Sequence, residues 1–244
     1  MAPAGFGDRV EGLHAVTAAA AAGRVAQLWV EQGRLRRSEF QSVVEYVLAS
    51  SGTVSEVDDV ISLAETTAPQ GLVARCVPRH ETSLDELTTG AGPAAVMVLD
   101  HVVDPHNLGA IARSVAAAGL SGLVLPSRRA APLSAAAFKA AAGALETVAV
   151  TRVSSIAEAL GRLRRLGLWS IGLDQEAEQV LWGLPLLSEP VALVVGDEGT
   201  GLSRLVAERV EVRVRIPIAP SVESLNASVA AALAAFEVSR VRGL

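Results

Sequence analysis

The chain has 244 residues, half of them apolar and 3% aromatic, with a formal net charge of −5. That apolar fraction excludes global disorder and predicts a sizeable core packed by Ala, Val and Leu, while the acidic balance argues against a nonspecific nucleic-acid binder. A single cysteine, Cys76, excludes an internal disulfide framework and a cysteine-based metal site; with no signal-peptide pattern after Met-Ala-Pro-Ala and no apolar run of bilayer length, a cytoplasmic protein without membrane or metal partners is expected.

Residues 11–22 read as a helix stopped by Gly23, followed by a short strand over 27–30 and a basic turn over 33–37. Ser38 can cap a helix to residue 49, in which Phe40, Val43, Val44, Val47 and Leu48 recur at helical spacing. A strand over 53–57, a short helix from Asp58 or Asp59 to residue 64, a Pro69-Gln70-Gly71 turn and a strand over 72–76 complete a small α/β domain, residues 1–77. Residues 78–93, rich in Pro, Gly, Thr and charge, read as a linker with one helical turn near 84–87.

A second domain, residues 94–244, opens with a continuous apolar run over 94–99, the pattern of a strand buried on both faces. Asp104 and Pro105 punctuate the start of a helix that Gly119 stops. Strands are predicted over 122–125, 148–150 and 168–173, and helices over 134–142 and 154–166. Strands over 191–195 and 212–216 each run into a polar loop, and an Ala-rich helix closes the chain near Arg240. Strand and helix alternate throughout, which predicts a mostly parallel sheet covered on both faces, with ligands beyond the carboxyl ends of its strands.

Three stretches stand out. In Asp104-Pro-His-Asn-Leu-Gly-Ala-Ile-Ala-Arg113, Asn107 places an amide in the first helical turn, and Arg113 follows six residues later, off its helix face. In Gly196-Asp-Glu-Gly-Thr-Gly-Leu202 the glycines have neither the dinucleotide spacing nor the P-loop Lys, yet they let backbone approach a ligand, with Glu198 at the edge. Ser221-Val-Glu-Ser-Leu-Asn-Ala-Ser228 is either a simple helix start capped by Ser224 or a polar cradle at a helix N-terminus. Each stretch alone also fits a structural role.

Taken together and in this order, Asn107-Leu-Gly-Ala-Ile-Ala-Arg113, Gly196-Asp-Glu-Gly-Thr-Gly-Leu202 and Ile216-Pro…Ser224-Leu-Asn226-Ala-Ser228 resemble the three motifs of the SpoU (TrmH) family of RNA ribose methyltransferases, in the SPOUT superfamily. Residues 9–76 resemble, less closely, the ribosomal-protein-like RNA-binding domain often fused ahead of it, with Pro69 where family members often carry His. The resemblance implies an α/β fold with a trefoil knot in its C-terminal part, a homodimer, and S-adenosylmethionine bound by the knotted loops. By position, Gly196, Ile216 and Leu225 would meet the cofactor through backbone, with Leu173 and Gly201 beside them.

The implied reaction is methyl transfer to a ribose 2′-hydroxyl of rRNA, or of tRNA; a catalytically inactive RNA-binding protein of the same fold is the alternative. The sulfonium donor is already reactive, whereas the hydroxyl is a weak nucleophile and needs activation. Arg113 would contact the hydroxyl or the neighbouring phosphate, as a charge-stabilising donor in preference to a base, because a free guanidinium titrates at about 12.5 or above. Asn107 and Glu198 would orient Arg113 and the ribose, and Ser224 and Asn226 would position the nucleotide. Few aromatics are present to stack on bases, so RNA contacts are expected from the arginine groups Arg34, Arg36, Arg37, Arg128 and Arg129. The third group, Arg162, Arg164 and Arg165, reads as a solvated helix face.

Overall fold

The computed structural model describes residues 6–90 and 92–243; residues 1–5 with the Met-Ala-Pro-Ala start, residue 91 of the expected linker and residue 244 lie outside them. The chain runs β1 (Arg9–Glu11), α1 (Leu13–Ala21), β2 (Val25–Glu31), α2 (Ser38–Ala49), β3 (Thr53–Val57), β4 (Leu72–Cys76) and α3 (Leu84–Leu87). It continues through β5 (Ala95–Leu99), α4 (Pro105–Ala117), β6 (Gly122–Pro126), α5 (Ala135–Ala141), α6 (Ala144–Thr147), β7 (Ala149–Val153) and α7 (Ile156–Arg165). The remaining elements are β8 (Trp169–Leu173), β9 (Val191–Val195), α8 (Arg204–Ala207), β10 (Val212–Val214) and α9 (Ala227–Val241). Two compact units result: residues 1–80 with 132–147, and residues 81–131 with 148–244. The segment 132–147 therefore packs with the first unit, although sequence order assigns it to the second domain.

The first unit holds a mixed sheet in the order β1-β4-β2-β3, where a mostly parallel one was expected. The β2–β3 pair is parallel because α2 supplies the crossover, whereas β4 runs antiparallel to β1 and β2. The 58–71 connection holds only a 3-10 turn, Ile61–Leu63, where a short helix was predicted. Residues 9–11 form an edge strand on β4, so α1 starts two residues later than its periodicity suggests. Buried Glu11 accepts from the Thr66 amide (3.1 Å) and hydroxyl (2.5 Å), which satisfies a carboxylate taken out of water. Arg24 and Glu146 form a bidentate pair at 2.7 and 2.6 Å, tying α6 into this unit. Gly143 lets that segment pass: a Cβ there would lie 2.8 Å from the Ala18 methyl.

The second unit is an all-parallel sheet, β10-β8-β9-β5-β6-β7. The central strands β5 and β9 are buried at every position, as their unbroken apolar runs require. One core layer gathers Val96, Val98, Val124, Leu160, Leu163, Ala192 and Val194. The helix α7 lays Ile156, Ala159, Leu160 and Leu163 on the sheet; its outer arginines pair locally, Arg162 with Asp85 and Arg164 with Glu211 at 3.2 Å. The strand order reverses direction around β9 and β5, and it is there that the loops after β5, β8, β9 and β10 converge. No helix among the described residues is long and apolar enough to cross a membrane.

Candidate active site

The three polar stretches meet at the carboxyl edge of this sheet. The loop after β9 folds back on itself: the Asp197 amide donates to the Gly201 carbonyl at 3.1 Å, and the Gly201 amide returns to the Asp197 carbonyl at 2.9 Å. The Asp197 carboxylate fills the turn, accepting from the Gly199 amide at 3.1 Å and from the Thr200 amide and hydroxyl at 3.3 Å. The Gly199 amide, followed by the other donors, holds the Asp197 carboxyl below the usual carboxylate range. Gly196 must lack a side chain, since a Cβ would lie 2.2 Å from the Gly201 carbonyl group.

This turn presents Glu198 to the other two stretches. Asn107 Nδ2 donates to Glu198 Oε1 at 2.7 Å, and Asn226 Nδ2 donates to the same oxygen and to Asn107 Oδ1, at 2.5 and 3.1 Å. The Ala227 amide adds a longer bond to Glu198 Oε1, 3.4 Å. Asn226 has a second duty as the N-cap of α9, its Oδ1 accepting from the Ser228 and Val229 amides at 2.9 and 3.3 Å. The cap is thus Asn226 and not Ser224. Asp104 and Pro105 start α4 as expected, with the Asp104 carboxylate accepting from the His106 amide at 2.9 Å.

Two cavities adjoin Glu198. The larger, about 420 Å³, is lined by every residue expected to meet the cofactor: Leu173, Gly196, Gly201, Ile216 and Leu225. Ser224 also lines it, exposed. Its volume lies within the roughly 300–1,000 Å³ of small-molecule sites. Apolar Val195, Leu202 and Ala230 face an aromatic ring's needs, and Asp174, Glu176 and Glu223 at its wall suit a cationic ligand. That donor set fits S-adenosylmethionine, with the glycine-lined turn giving backbone access to it. The smaller cavity, about 240 Å³, is lined by Val102, Val103, Asp104, Asn107 and Asn226, and shares Asp197, Glu198 and Ala227 with the larger.

Arg113 is not joined to this cluster within one chain. It lies on the exposed side of α4, about 120° round the helix from Asn107 at 100° per residue, and makes no hydrogen bond or ion pair among the described residues. Of the arginines expected to meet RNA, Arg34 is spoken for: it pairs with Glu31 and lies 5.9 Å over the Phe40 ring. Arg36 and Arg37 in the first unit, and Arg128 and Arg129 in the second, are exposed and unpaired among the described residues. Sequence reading passed over Asp197, although Asp followed two residues later by Gly-Thr is an Asx-turn signal. It also passed over Val102 and Val103, for which no side-chain chemistry gave a cue.

Comparison with known proteins gives this geometry a context. Residues 94–236 match the SpoU rRNA Methylase family, and residues 9–82 match the RNA 2′-O ribose methyltransferase substrate-binding family. The chain is 37% identical to the 23S rRNA (guanosine-2′-O-)-methyltransferase RlmB of Pseudomonas aeruginosa, over 96% of this chain and 97% of that protein. It is 35% identical to the putative TrmH family tRNA/rRNA methyltransferase YacO of Bacillus subtilis, covering 90% and 89%. It spans 63% of the length of an uncharacterized tRNA/rRNA methyltransferase of Synechocystis, at 35% identity over 97% of this chain. Among solved structures, an RNA 2′-O ribose methyltransferase superposes with a TM-score of 0.80 at 29% identity, covering 97% of this chain and 89% of that one. An AdoMet-bound rRNA methyltransferase from Sinorhizobium meliloti superposes at 0.77 with 26% identity, covering 95% and 86%. Family models over both halves, full-length relatives and an AdoMet-bound neighbour agree with the cavity's chemistry: the chain belongs to the SpoU family of S-adenosylmethionine-dependent RNA 2′-O-ribose methyltransferases.

Proposed function

We propose that this chain methylates a ribose 2′-hydroxyl of ribosomal RNA at the junction of its two cavities, as a homodimer whose second subunit brings Arg113 to the site. The observation that carries this reading is Glu198, which lines both cavities and whose carboxylate is held by Asn107 and Asn226. When bound in the larger cavity, S-adenosylmethionine supplies an electrophilic methyl on a sulfonium. The smaller cavity then takes the acceptor ribose. The O2′–methyl bond would form as the sulfur–methyl bond breaks, leaving a neutral thioether, with the hydroxyl proton passing to solvent water. Asn107, Asn226 and Ser224 hold and orient the sugar, and Glu198 keeps both amides in register. Arg113 stabilises the charge developing on O2′ and neutralises the adjacent phosphate.

Two observations support a second copy as the source of Arg113. The guanidinium is exposed and unpaired among the described residues of its own chain. The helix α9, packed beside α4, carries Val229, Leu233 and Phe236 at positions i, i+4 and i+7, exposed by 46%, 37% and 50%. An apolar stripe of that spacing suits a symmetric interface between copies. The names of the rRNA (guanosine-2′-O-) relatives favour an rRNA guanosine as target, with Arg36 and Arg37 on the first unit and Arg128 and Arg129 on the second holding phosphates. We place the enzyme in the cytoplasm, a compartment that suits the unpaired, buried Cys76, and assign it the trefoil knot of the family resemblance on the strength of the shared fold.

Mixing two inactive variants tests this. Arg113→Ala and Asn226→Ala each abolish transfer of labelled methyl from S-adenosylmethionine to rRNA. Co-refolded one to one, they recover about a quarter of wild-type activity, because half the dimers hold one intact shared site. Recovery of nothing places Arg113 and Asn226 of one chain in one site; label on base atoms overturns the reaction.

A further inference from the structure

We propose that Asp100, buried just beyond the end of β5 and outside the three stretches above, is the positioning residue that fixes the cofactor loop 196–202 at its base. The inference rests on the assignment of the larger cavity to S-adenosylmethionine. The loop leaves the sheet at Val195 and re-enters regular structure at Ser203, the N-cap of α8. Asp100 holds both points. Its amide donates to the Val195 carbonyl at 2.8 Å, and its carboxylate Oδ2 accepts from the Ser203 amide at 2.7 Å. The other carboxylate oxygen, Oδ1, lies 2.6 Å from His101 Nδ1, and the Asp100 side chain is 2% exposed. His101 reaches it by adopting a left-handed backbone, φ 63°, which a residue with a side chain takes at a cost.

A carboxylate removed from water is destabilising unless its partners are fixed. Here those partners are a strand end and a loop end, so the side chain's own satisfaction requires the loop to keep one spacing. Within that clamp, Asp197 folds the turn and Glu198 projects from it. Three carboxylates in series therefore set the geometry: Asp100 fixes the base, Asp197 the turn, and Glu198 the two asparagines. Leu202, the last residue of the loop, packs toward Gly172 of β8, where a Cβ would lie 2.7 Å from its Cδ1. The loop is thus anchored from two strands before any ligand arrives, and the affinity of its cavity depends on that preorganisation.

The test is calorimetric titration of S-adenosylmethionine into full-length wild type, Asp100→Ala, Asp100→Asn and Glu11→Ala. Asp100→Ala frees the Ser203 amide and is expected to weaken binding by about tenfold to a hundredfold, the effect of losing a charged acceptor. Asp100→Asn is expected to bind within about threefold of wild type, since its amide oxygen still accepts from Ser203 and its NH2 donates to His101 Nδ1. Glu11→Ala removes a buried carboxylate of the first unit and lowers melting temperature without changing cofactor affinity. If Asp100→Ala binds as wild type does while melting lower, Asp100 is merely structural and the proposal fails. Should Asp100→Ala not fold, hydrogen exchange of unliganded wild type decides: protected Ser203 and Gly201 amides support the clamp, and rapid exchange at both overturns it. Absence of binding by wild type itself sinks the cavity assignment, a separate outcome.

Discussion

Asn226 does two jobs with one side chain, and the two can be separated. Its oxygen caps α9, and its NH2 group holds Glu198 and Asn107. Asn226→Ala loses both and is expected to cost about 1 kcal/mol of stability for the cap alone, besides activity. Asn226→Asp keeps a good cap but cannot donate, and it sets a second carboxylate against Glu198. It should melt near wild type yet transfer no methyl, as differential scanning and single-turnover assays would read. Asp197 gives a pH signature. Its carboxyl is depressed by the Gly199 and Thr200 donors, so the turn's stabilisation is complete above the unfolded value near pH 4 and is lost as pH falls through the lower folded value. The melting advantage of wild type over Asp197→Ala should therefore be full at neutral pH and shrink only as pH falls below the unfolded carboxylate value of about 4. At this scale the sequence named Asn107, Glu198 and Asn226 correctly as neighbours-to-be only through family resemblance. Spacing could not join residues 107 and 226, because their meeting is made by the sheet.

Among the elements, those with a strong period or punctuation were legible. Strands β3 and β4 and the turn at Leu84–Leu87 fall where apolar pattern and turn residues put them, and α4 begins at its Asp-Pro signal. The edge strand β1 was not, because three residues become a strand only when β4 lies beside them. The short α6 and α8 likewise owe their form to packing, being too brief to be helical alone. The helix α9 shows what composition hides: an Ala-rich sequence whose buried side, Ala231, Ala234, Ala235 and Val238, faces its own unit while Val229, Leu233 and Phe236 stay exposed. Phe236→Glu places a charge in that stripe. It should yield a folded monomer by sedimentation, with circular dichroism unchanged and methyl transfer abolished. A dimer that persists argues against this stripe as the interface.

At the scale of the whole molecule, the acidic net charge and an RNA substrate are reconciled by local charge. Arg24 of the first unit and Arg162 and Arg164 of α7 are neutralised by carboxylate partners, whereas Arg36, Arg37, Arg128 and Arg129 are exposed. Reversing Arg36 and Arg37 to Glu should weaken RNA binding and flatten its dependence on salt by a slope of about two, near one per lost phosphate contact. S-adenosylmethionine affinity should stay put, and unchanged RNA affinity would argue against that surface. The two-part fold class was readable from alternating elements, but the allegiance of residues 132–147 was not, since nothing local tells a helix which sheet it will cover. That allegiance has a practical edge. A polypeptide started at Glu81 would still carry Phe138, Ala141 and Leu145, apolar groups that the complete chain buries with its first eighty residues. Such a fragment should bind hydrophobic dye and clump on concentration, so the catalytic half is not detachable by trimming from the front.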